Sequence, residues 1–395
     1  MPVALTVPSA PPLHGEPLGG GGRGIGGIAA LFLSLAVASH AACRPSPPAA
    51  RVPTVDEAGP EQVVVNYAPQ RLRALPAGNP ESSYLLLGSE RPLLPAVFRP
   101  LGVTARKAPP DVFARAGELA WVDGHVVAAA APKGPAAPQR STSVLVYDRD
   151  SKVATPADLP LPAACTQLQP ALLHSDGRQL YALVRCPAQD AAVVLYLSGA
   201  AELRSAKWIA GAGAAELFLH RGDVDYLLAG ARLLRSDAAG KTLTAALPDG
   251  GSTADGETRE LVHTGELLFA IDGRAGRLFA VDGDTLALRF ERALYSARPV
   301  TRLRAAIGGP SQLVVVTAEQ GPDSDAATQL IAVALPLTPA PRGTAFPTRI
   351  LLGSGPPRSD HELVPVAASD GGGVLLLRTH SGNTGPLVAL TRLHL

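Results

Sequence analysis

Residues 171–183 read ALLHSDGRQLYAL. Two apolar runs flank Ser175-Asp176-Gly177-Arg178, a composition that turns a chain back on itself, because Asp and Gly tolerate the left-handed backbone a tight hairpin needs. Five more segments share this form: ELAWVDGHVVAAA (118–130), ELFLHRGDVDYLLA (216–229), ELVHTGELLFAI (260–271), LRAAIGGPSQLVVV (303–316) and LVPVAASDGGGVLLL (363–377). Their turns fall near Asp123, Asp176, Gly222, Gly265, Gly308 and Asp370, mostly at intervals in the forties or low fifties. Each hairpin is followed by another apolar run: SVLVYD, AVVLYLS, ARLLRSD, GRLFAVDGDTL, TQLIAVALP and GPLVALTRL. In the first four units a further turn and a more polar run come next, as in DRDSKVATPADLP and DAAGKTLTAALP. Four short strands repeating at this period predict the blades of a propeller.

The repeated turn resembles the broad superfamily of bacterial β-propellers with WD-like, YVTN-like or lactonase-like blades, in which a "DGrxLyv" pattern follows the innermost strand. The resemblance covers Glu118 to Leu395. It carries architecture alone: no G-H…W-D pair recurs, no YVTN tetrapeptide occurs, and two Trp cannot supply repeated Trp docking positions. The expected fold is all-β, a single β-propeller of about seven four-stranded blades, with six or eight also compatible. Residues 62–117 hold about one more unit, including VVVNYA and SYLLLG. A ring must close or leave raw edges. VVVNYA, or a neighbouring early strand, is therefore expected to complete the last blade.

Composition agrees. The chain has 395 residues, 46% hydrophobic, with 40 Gly and 38 Pro, enough apolar content for a large core and enough breakers for many turns. Only 17% of residues are charged and the net charge is +1, which gives no electrostatic case for a nucleic-acid partner.

Upstream of the repeats stands GGGGRGIGGIAALFLSLAVASHAAC, residues 19–43. Gly22, Gly24 and Gly27 match the G-x-G-x-x-G of dinucleotide sites, but that motif works only between a strand and a helix with an acidic residue about 20 positions on. Five prolines precede it, and no Asp or Glu lies between Gly27 and Asp56. No nucleotide is expected. Residues 28–38, IAALFLSLAVA, form an uncharged run of signal-peptide length. With the small residues and cysteine that follow, the segment resembles a bacterial lipoprotein signal, except that His40 stands where Leu is typical. Residues 1–43 are thus expected to be a signal peptide cleaved before Cys43, which becomes the lipidated mature N-terminus. Cleavage after Ser39-His40-Ala41 and an uncleaved anchor are the competing readings. Residues 44–60 are expected to be a Pro-rich tether and 61–395 the propeller.

If Cys43 carries lipid, Cys165 and Cys186 remain as an even pair. A two-residue turn at Asp176-Gly177 sets Ser175 opposite Arg178 and Gln167 opposite Cys186. Cys165 then lies on the same face in diagonal register, a little far for a relaxed disulfide unless a bulge or slack at Pro170 closes the gap. In an oxidising compartment the bridge is expected; two buried thiols are the alternative.

His174, His220 and His263 each precede an inner turn (HSDG, HRGD, HTGE), which would place them equivalently in three consecutive blades. They are candidate ligands for a divalent metal or a pH-sensitive contact, or simply a repeated polar flank. Arg221-Gly222-Asp223 spells an integrin-type tripeptide that a turn also explains. Asp282-Gly283-Asp284 and Asp323-Ser324-Asp325 could contribute to calcium sites but lack EF-hand spacing. No G-x-S-x-G, HExxH or cysteine-nucleophile signature is present, so no catalytic residue is assigned and no cofactor is required. Two readings follow: an exported, membrane-anchored binding or scaffold module of the bacterial cell envelope with a protein or glycan partner, or an exported lactonase-like hydrolase with a metal at the central channel.

Overall fold

The computed structural model describes residues 171–248 and 258–296 continuously. Elsewhere between residues 49 and 394 it describes the strands and short stretches beside them, with backbone alone for the strands before residue 119 and for most of residues 363–390. Pro47–Leu395 forms one compact unit. Residues 1–48, and with them Gly22, Gly24, Gly27, His40 and Cys43, lie outside the described residues, as does Asp323-Ser324-Asp325.

The described strands make seven four-stranded antiparallel sheets. The chain opens with β1 (Gln62–Val65), which belongs to the last sheet. Blade 1 holds β2 (Leu72–Pro76), β3 (Tyr84–Gly88), β4 (Ala96–Arg99) and β5 (Gly102–Ala105). Blade 2 holds β6 (Leu119–Val122), β7 (His125–Ala129), β8 (Ser143–Asp148) and β9 (Ala154–Asp158). Blade 3 holds β10 (Leu172–Ser175), β11 (Leu180–Cys186), β12 (Ala191–Leu197) and β13 (Leu203–Ala210). Blade 4 holds β14 (Ala215–Arg221), β15 (Val224–Ala229), β16 (Arg232–Ser236) and β17 (Thr242–Ala246). Blade 5 holds β18 (Arg259–Thr264), β19 (Leu267–Asp272), β20 (Arg277–Asp282) and β21 (Leu288–Ala293). Blade 6 holds β22 (Val300–Ile307), β23 (Gln312–Glu319), β24 (Thr328–Pro336) and β25 (Arg349–Gly355). Blade 7 holds β26 (Leu363–Ala367), β27 (Val374–Gly382) and β28 (Gly385–Leu393), with β1 as its outer strand.

Every strand pairs with its sequence neighbour except at the closure, where β1 pairs antiparallel with β28 through Gln62↔Leu390, Val63↔Ala389 and, after a bulge, Val65↔Val388. The innermost strands β2, β6, β10, β14, β18, β22 and β26 neighbour one another in chain order. The architecture is a seven-bladed β-propeller closed by its first strand, and all six turns read from the sequence join the two inner strands of a blade.

The reason lies in how each strand position is buried. The second and third strands of a blade are sandwiched between neighbouring blades on both faces, so they read as continuous apolar runs. In β11 (LYALVRC) and β12 (AAVVLYL) six of seven residues are buried. The outer strands have a wet edge and are correspondingly polar: β13 is LRSAKWIA and β21 is LRFERA, each with most residues partly or fully exposed. Between blades 2 and 3 the core packs Val122, Val127 and Val146 against Leu180, Ala182 and Leu195. Blades 4 and 5 meet through Tyr226, Leu228 and Leu233 against Leu268 and Phe279. Blades 5 and 6 meet through Phe269, Ile271 and Leu278 against Leu303 and Val315. Each fully buried Leu or Phe contributes about 1.5–3 kcal/mol of burial free energy, so the interblade layers hold the ring together.

Where one blade hands over to the next, space is short. A Cβ on Gly213, between β13 and β14, would sit 2.8 Å from the Asp190 Cα and 3.0 Å from the Ala191 nitrogen. Both are backbone atoms that cannot swing aside. Gly213→Ala is expected to destabilise the protein by about 1–3 kcal/mol, the usual cost of overpacking, read as a lower urea midpoint with an unchanged slope.

One expectation is corrected. In blade 3 Ser175 pairs with Leu180, not with Arg178, so the turn is a four-residue loop, Asp176–Gln179. The cause is local. Asp176 Oδ1 accepts the amides of Arg178 (2.8 Å) and Gln179 (2.7 Å), and Ser175 Oγ accepts that of Gly177 (2.9 Å). These side chains build the loop and move the register by two residues. Cys165 precedes the strand rather than extending it, and it forms the expected disulfide with Cys186 at the end of β11, with a Cα–Cα distance of 5.0 Å.

Candidate functional site

A dense assembly of polar side chains lies between blades 3 and 4. Gly222, with φ +60°, makes the two-residue turn after β14, so counting outward from it pairs Arg221 with Val224 and His220 with Asp225. His220 Nδ1 lies 2.7 Å from Asp225 Oδ1. Blade 3 completes the group: Tyr196 on β12 donates its hydroxyl to Asp225 Oδ2 at 2.9 Å, and Lys207 on β13 forms an ion pair with the same oxygen. The Lys207 ammonium also donates to the carbonyls of Ser236 (3.1 Å) and Asp237 (3.0 Å) at the end of β16. Asp225 is wholly buried.

A carboxylate in that position stays charged because its surroundings answer it. Burial alone would raise its pKa, but the hydrogen bonds from His220 and Lys207, the Lys207 charge and the Tyr196 hydroxyl hold it below the ordinary aspartate value. The same carboxylate pushes the Tyr196 phenol up, in concert with burial, which is the larger cause.

Aromatic rings roof the network. The Tyr181 ring stacks on the His220 ring with centroids 3.7 Å apart, and Tyr196 meets it edge-on at 5.7 Å. Tyr181 is itself held by Asp176, whose Oδ2 accepts its hydroxyl at 2.9 Å. An imidazole oriented by a buried carboxylate is half of an acid–base apparatus. Here His220 is buried, its ring stacked against Tyr181 and its Nδ1 engaged by Asp225. Chemically the group is a charge-assisted clasp between two blades.

The three histidines are placed as follows. His174 enters the same interblade space as His220, from the blade 3 side, with its ring 6.1 Å from Tyr181 and 6.2 Å from Phe218 on β14. Burial first, and then the neighbouring His220, lower its pKa to about 4. A depressed histidine favours the folded state when neutral, so its contribution is complete above about pH 6.5 and declines as pH falls towards 4. His263 lies in the next interblade space, 5.4 Å from the Tyr226 ring. Its pKa is lowered by burial and by Arg221, against the pull of Asp284. Among the described residues no group of three or more His, Cys, Asp or Glu side chains is arranged to hold a metal ion.

The other candidates serve local geometry. Arg221, Gly222 and Asp223 form the exposed tip of the β14–β15 hairpin, where the left-handed glycine is what the turn requires. Asp282 Oδ1 accepts the amides of Asp284 (3.1 Å) and Thr285 (2.8 Å), and its Oδ2 pairs with Arg289. Asp284 is an exposed partner of Arg235 at 3.3 Å.

Similar clasps recur between later blades. Arg259 on β18 donates from Nε to Asp272 (3.0 Å) within blade 5, and from Nη1 to Glu216 (3.0 Å) and the Gly230 carbonyl (2.9 Å) of blade 4. Glu260, its neighbour, reaches the other way and accepts the Ala305 amide of blade 6 at 2.8 Å. Burial raises the Glu260 pKa to about 7, although Arg304 and the Ala305 amide act to lower it. The sign is that of a raised group: the folded state holds a proton that the unfolded chain releases near pH 4.3. The stabilising contribution is complete below that value and is lost as pH rises through 7. Glu260→Gln keeps an acceptor for Ala305 and removes the charge. Its urea midpoint is expected to match the wild type at pH 4.5 and to exceed it at pH 8; a variant weaker than wild type at pH 8 would contradict this.

Sequence reasoning had passed over Asp225, Tyr196 and Lys207. The His220–Asp225 pair was within reach, since both flank the Gly222-Asp223 tip symmetrically. Tyr196 and Lys207 were not, because they arrive from the preceding blade.

No protein-family model matches the chain, and no curated protein matches it. Solved structures similar to it include Kluyveromyces lactis Hsv2, at 10% identity over 85% of this chain and all of that one, with a TM-score of 0.44. The N-terminal domain of Nup159 is 12% identical over 88% of this chain and all of that domain, with a TM-score of 0.44. A protein of unknown function from Bacteroides caccae is 11% identical over 71% of this chain and 98% of that one, with a TM-score of 0.38. The propeller assignment rests on the strand topology rather than on these likenesses.

Proposed function

We propose that this chain is an exported propeller, anchored to a membrane of the cell envelope through lipid on Cys43, that acts as a binding or scaffold module. The observation that carries the reading is the Cys165–Cys186 disulfide. Such a bridge forms and persists in an oxidising compartment. It stabilises by about 2–4 kcal/mol, mainly by constraining the unfolded chain. It also leaves Cys43 as the one remaining cysteine, separated from the apolar run of residues 28–38 by Ser39, His40, Ala41 and Ala42. Among the described residues no helix is long and apolar enough to cross a membrane, and on this reading the lipid supplies the attachment.

The binding role is supported by where the polar side chains go. Asp225, Arg259, Asp272, Glu319 and Arg349 are buried and answer one another or their neighbours. Asp225 and Arg259 tie neighbouring blades together, while Arg259–Asp272 and Glu319–Arg349 pair within a single blade; on this reading the faces of the ring are where a protein or glycan partner binds. The test is the intact mass of the N-terminal peptide purified from membranes. A mature chain beginning at an acylated Cys43 is expected. A chain that retains residues 1–42, or that begins at Ala42 without lipid, would overturn the anchor.

A further inference from the structure

The segment between Cys43 and the ring does not run free to β1. Ala50 packs against the apolar layer between blades 5 and 6. Arg51 then adds to the outer strand of blade 6 as a parallel bridge: its amide donates to the Arg349 carbonyl at 2.9 Å, and the Leu351 amide donates to its carbonyl at 2.6 Å. Two main-chain hydrogen bonds and a packed side chain thus fix the chain to the rim of blade 6 well before β1 closes blade 7.

That contact sets how far the ring can stand from its anchor. Between Cys43 and Ala50 lie RPSPPA, residues 44–49. Seven Cα steps span at most about 25 Å fully extended, and about 22 Å in the polyproline conformation this composition favours. A propeller is wider. Four strands at about 4.8 Å spacing make a blade about 15 Å deep, so two opposing blades already measure about 30 Å before the channel is added. Residues at the docked rim suit a lipid headgroup layer: Val52 is 72% exposed, the most exposed large hydrophobic among the described residues, and it follows the exposed, basic Arg51.

We infer that the outer rim of blade 6, around Arg51 and Val52, faces the bilayer to which Cys43 is anchored, with blades 2 and 3 turned away from it. This rests on the lipid-anchor reading above. The partner of this surface is lipid, and the short docked tether converts a flexible attachment into an oriented one.

The test uses the full chain, processed in cells and reconstituted into phosphatidylethanolamine–phosphatidylglycerol vesicles that carry a nitroxide on the headgroup. Val52→Cys at blade 6 and Val153→Cys beside β9 of blade 2 replace exposed residues on opposite rims. Each is labelled with a small fluorophore, since the native cysteines are occupied by lipid and by the disulfide. Quenching at position 52 is expected to be severalfold stronger than at 153. Inserting twenty Gly-Ser residues after Arg44 is expected to bring the two together. Equal quenching with Cys43 acylated, as a ring lying on one face would give, or stronger quenching at 153, overturns the inference and leaves the anchor standing. Loss of acylation in the intact mass removes the anchor and this inference together.

Discussion

Removal of Gln62–Val65 is expected to abolish the cooperative folding of the entire ring. These four residues are the outer strand of blade 7, and their ladder to β28 is the main-chain pairing that joins the start of the propeller to its end. Every other sheet is made of strands consecutive in sequence and is tied to the next blade by covalent connection as well as by packing. The closure has no such connection. Without β1 the edge of β28 is raw and blade 7 can swing away from blade 1, exposing interblade apolar surface. Domains are stable by only about 5–15 kcal/mol in total, so the loss is expected to be comparable with the whole. A chain beginning at residue 66 should show no single urea transition at the midpoint of one beginning at residue 44, and should aggregate through its open edge. A truncated chain with the same midpoint and slope would show that closure is not what holds the ring.

Asp225→Ala is expected to be the most damaging single substitution in the described part of the molecule. It leaves the largely buried ammonium of Lys207 with the Ser236 and Asp237 carbonyls but no counter-charge, beside the unpartnered Nδ1 of His220 and the hydroxyl of Tyr196. Breaking a buried pair by removing one partner costs about 3–5 kcal/mol. Urea denaturation of the variant measures this, and Lys207→Met combined with Asp225→Ala should recover part of the loss, because no buried charge is then stranded. If the double variant is as weak as the sum of the two singles, the pair is not coupled as described.

The clasp also sets the response to acid. The Asp225 pKa is depressed in the fold, so its stabilising contribution is complete above the unfolded aspartate value near pH 3.9 and is lost as pH falls through the lower folded value. His174 acts earlier, between about pH 6.5 and 4, in the same direction. Glu260 opposes both, since its raised pKa disfavours the folded state as pH rises towards 7 and beyond. Wild-type stability is therefore expected to fall in two stages on acidification, the one below pH 4 being reduced in Asp225→Ala, where the depressed Asp176 and Asp282 still contribute to it.

Much of this was open to reading from the residues alone. The six inner turns were found because a hairpin tip needs Gly, Asp or Asn for backbone geometry, and that requirement is written locally, as at Gly222 and Gly265. The middle strands were found because burial on both faces forces continuous apolar runs such as LYALV and LLFAI. Closure followed from the cost of a raw edge, and the two ring cysteines were close enough in the hairpin to pair. The error in blade 3 came from reading Asp176-Gly177 as a two-residue tip. Asp176 instead captures two amides and builds a four-residue loop, a competition between side chain and backbone that composition alone does not rank.

What only the tertiary structure decided is whatever two blades make together. Sequence placed His174 and His220 in separate repeats; the fold brings both to Tyr181, with Asp225 and Lys207 closing the group from opposite blades. It also seated Arg51 on blade 6, far along the chain from its own position. The physical reason is one of range. Turn chemistry and strand burial act over a few residues and leave a periodic trace in the sequence. The stacking of one blade on the next joins side chains from different repeats, as it does Tyr181 and His220, at positions whose identity obeys no local rule.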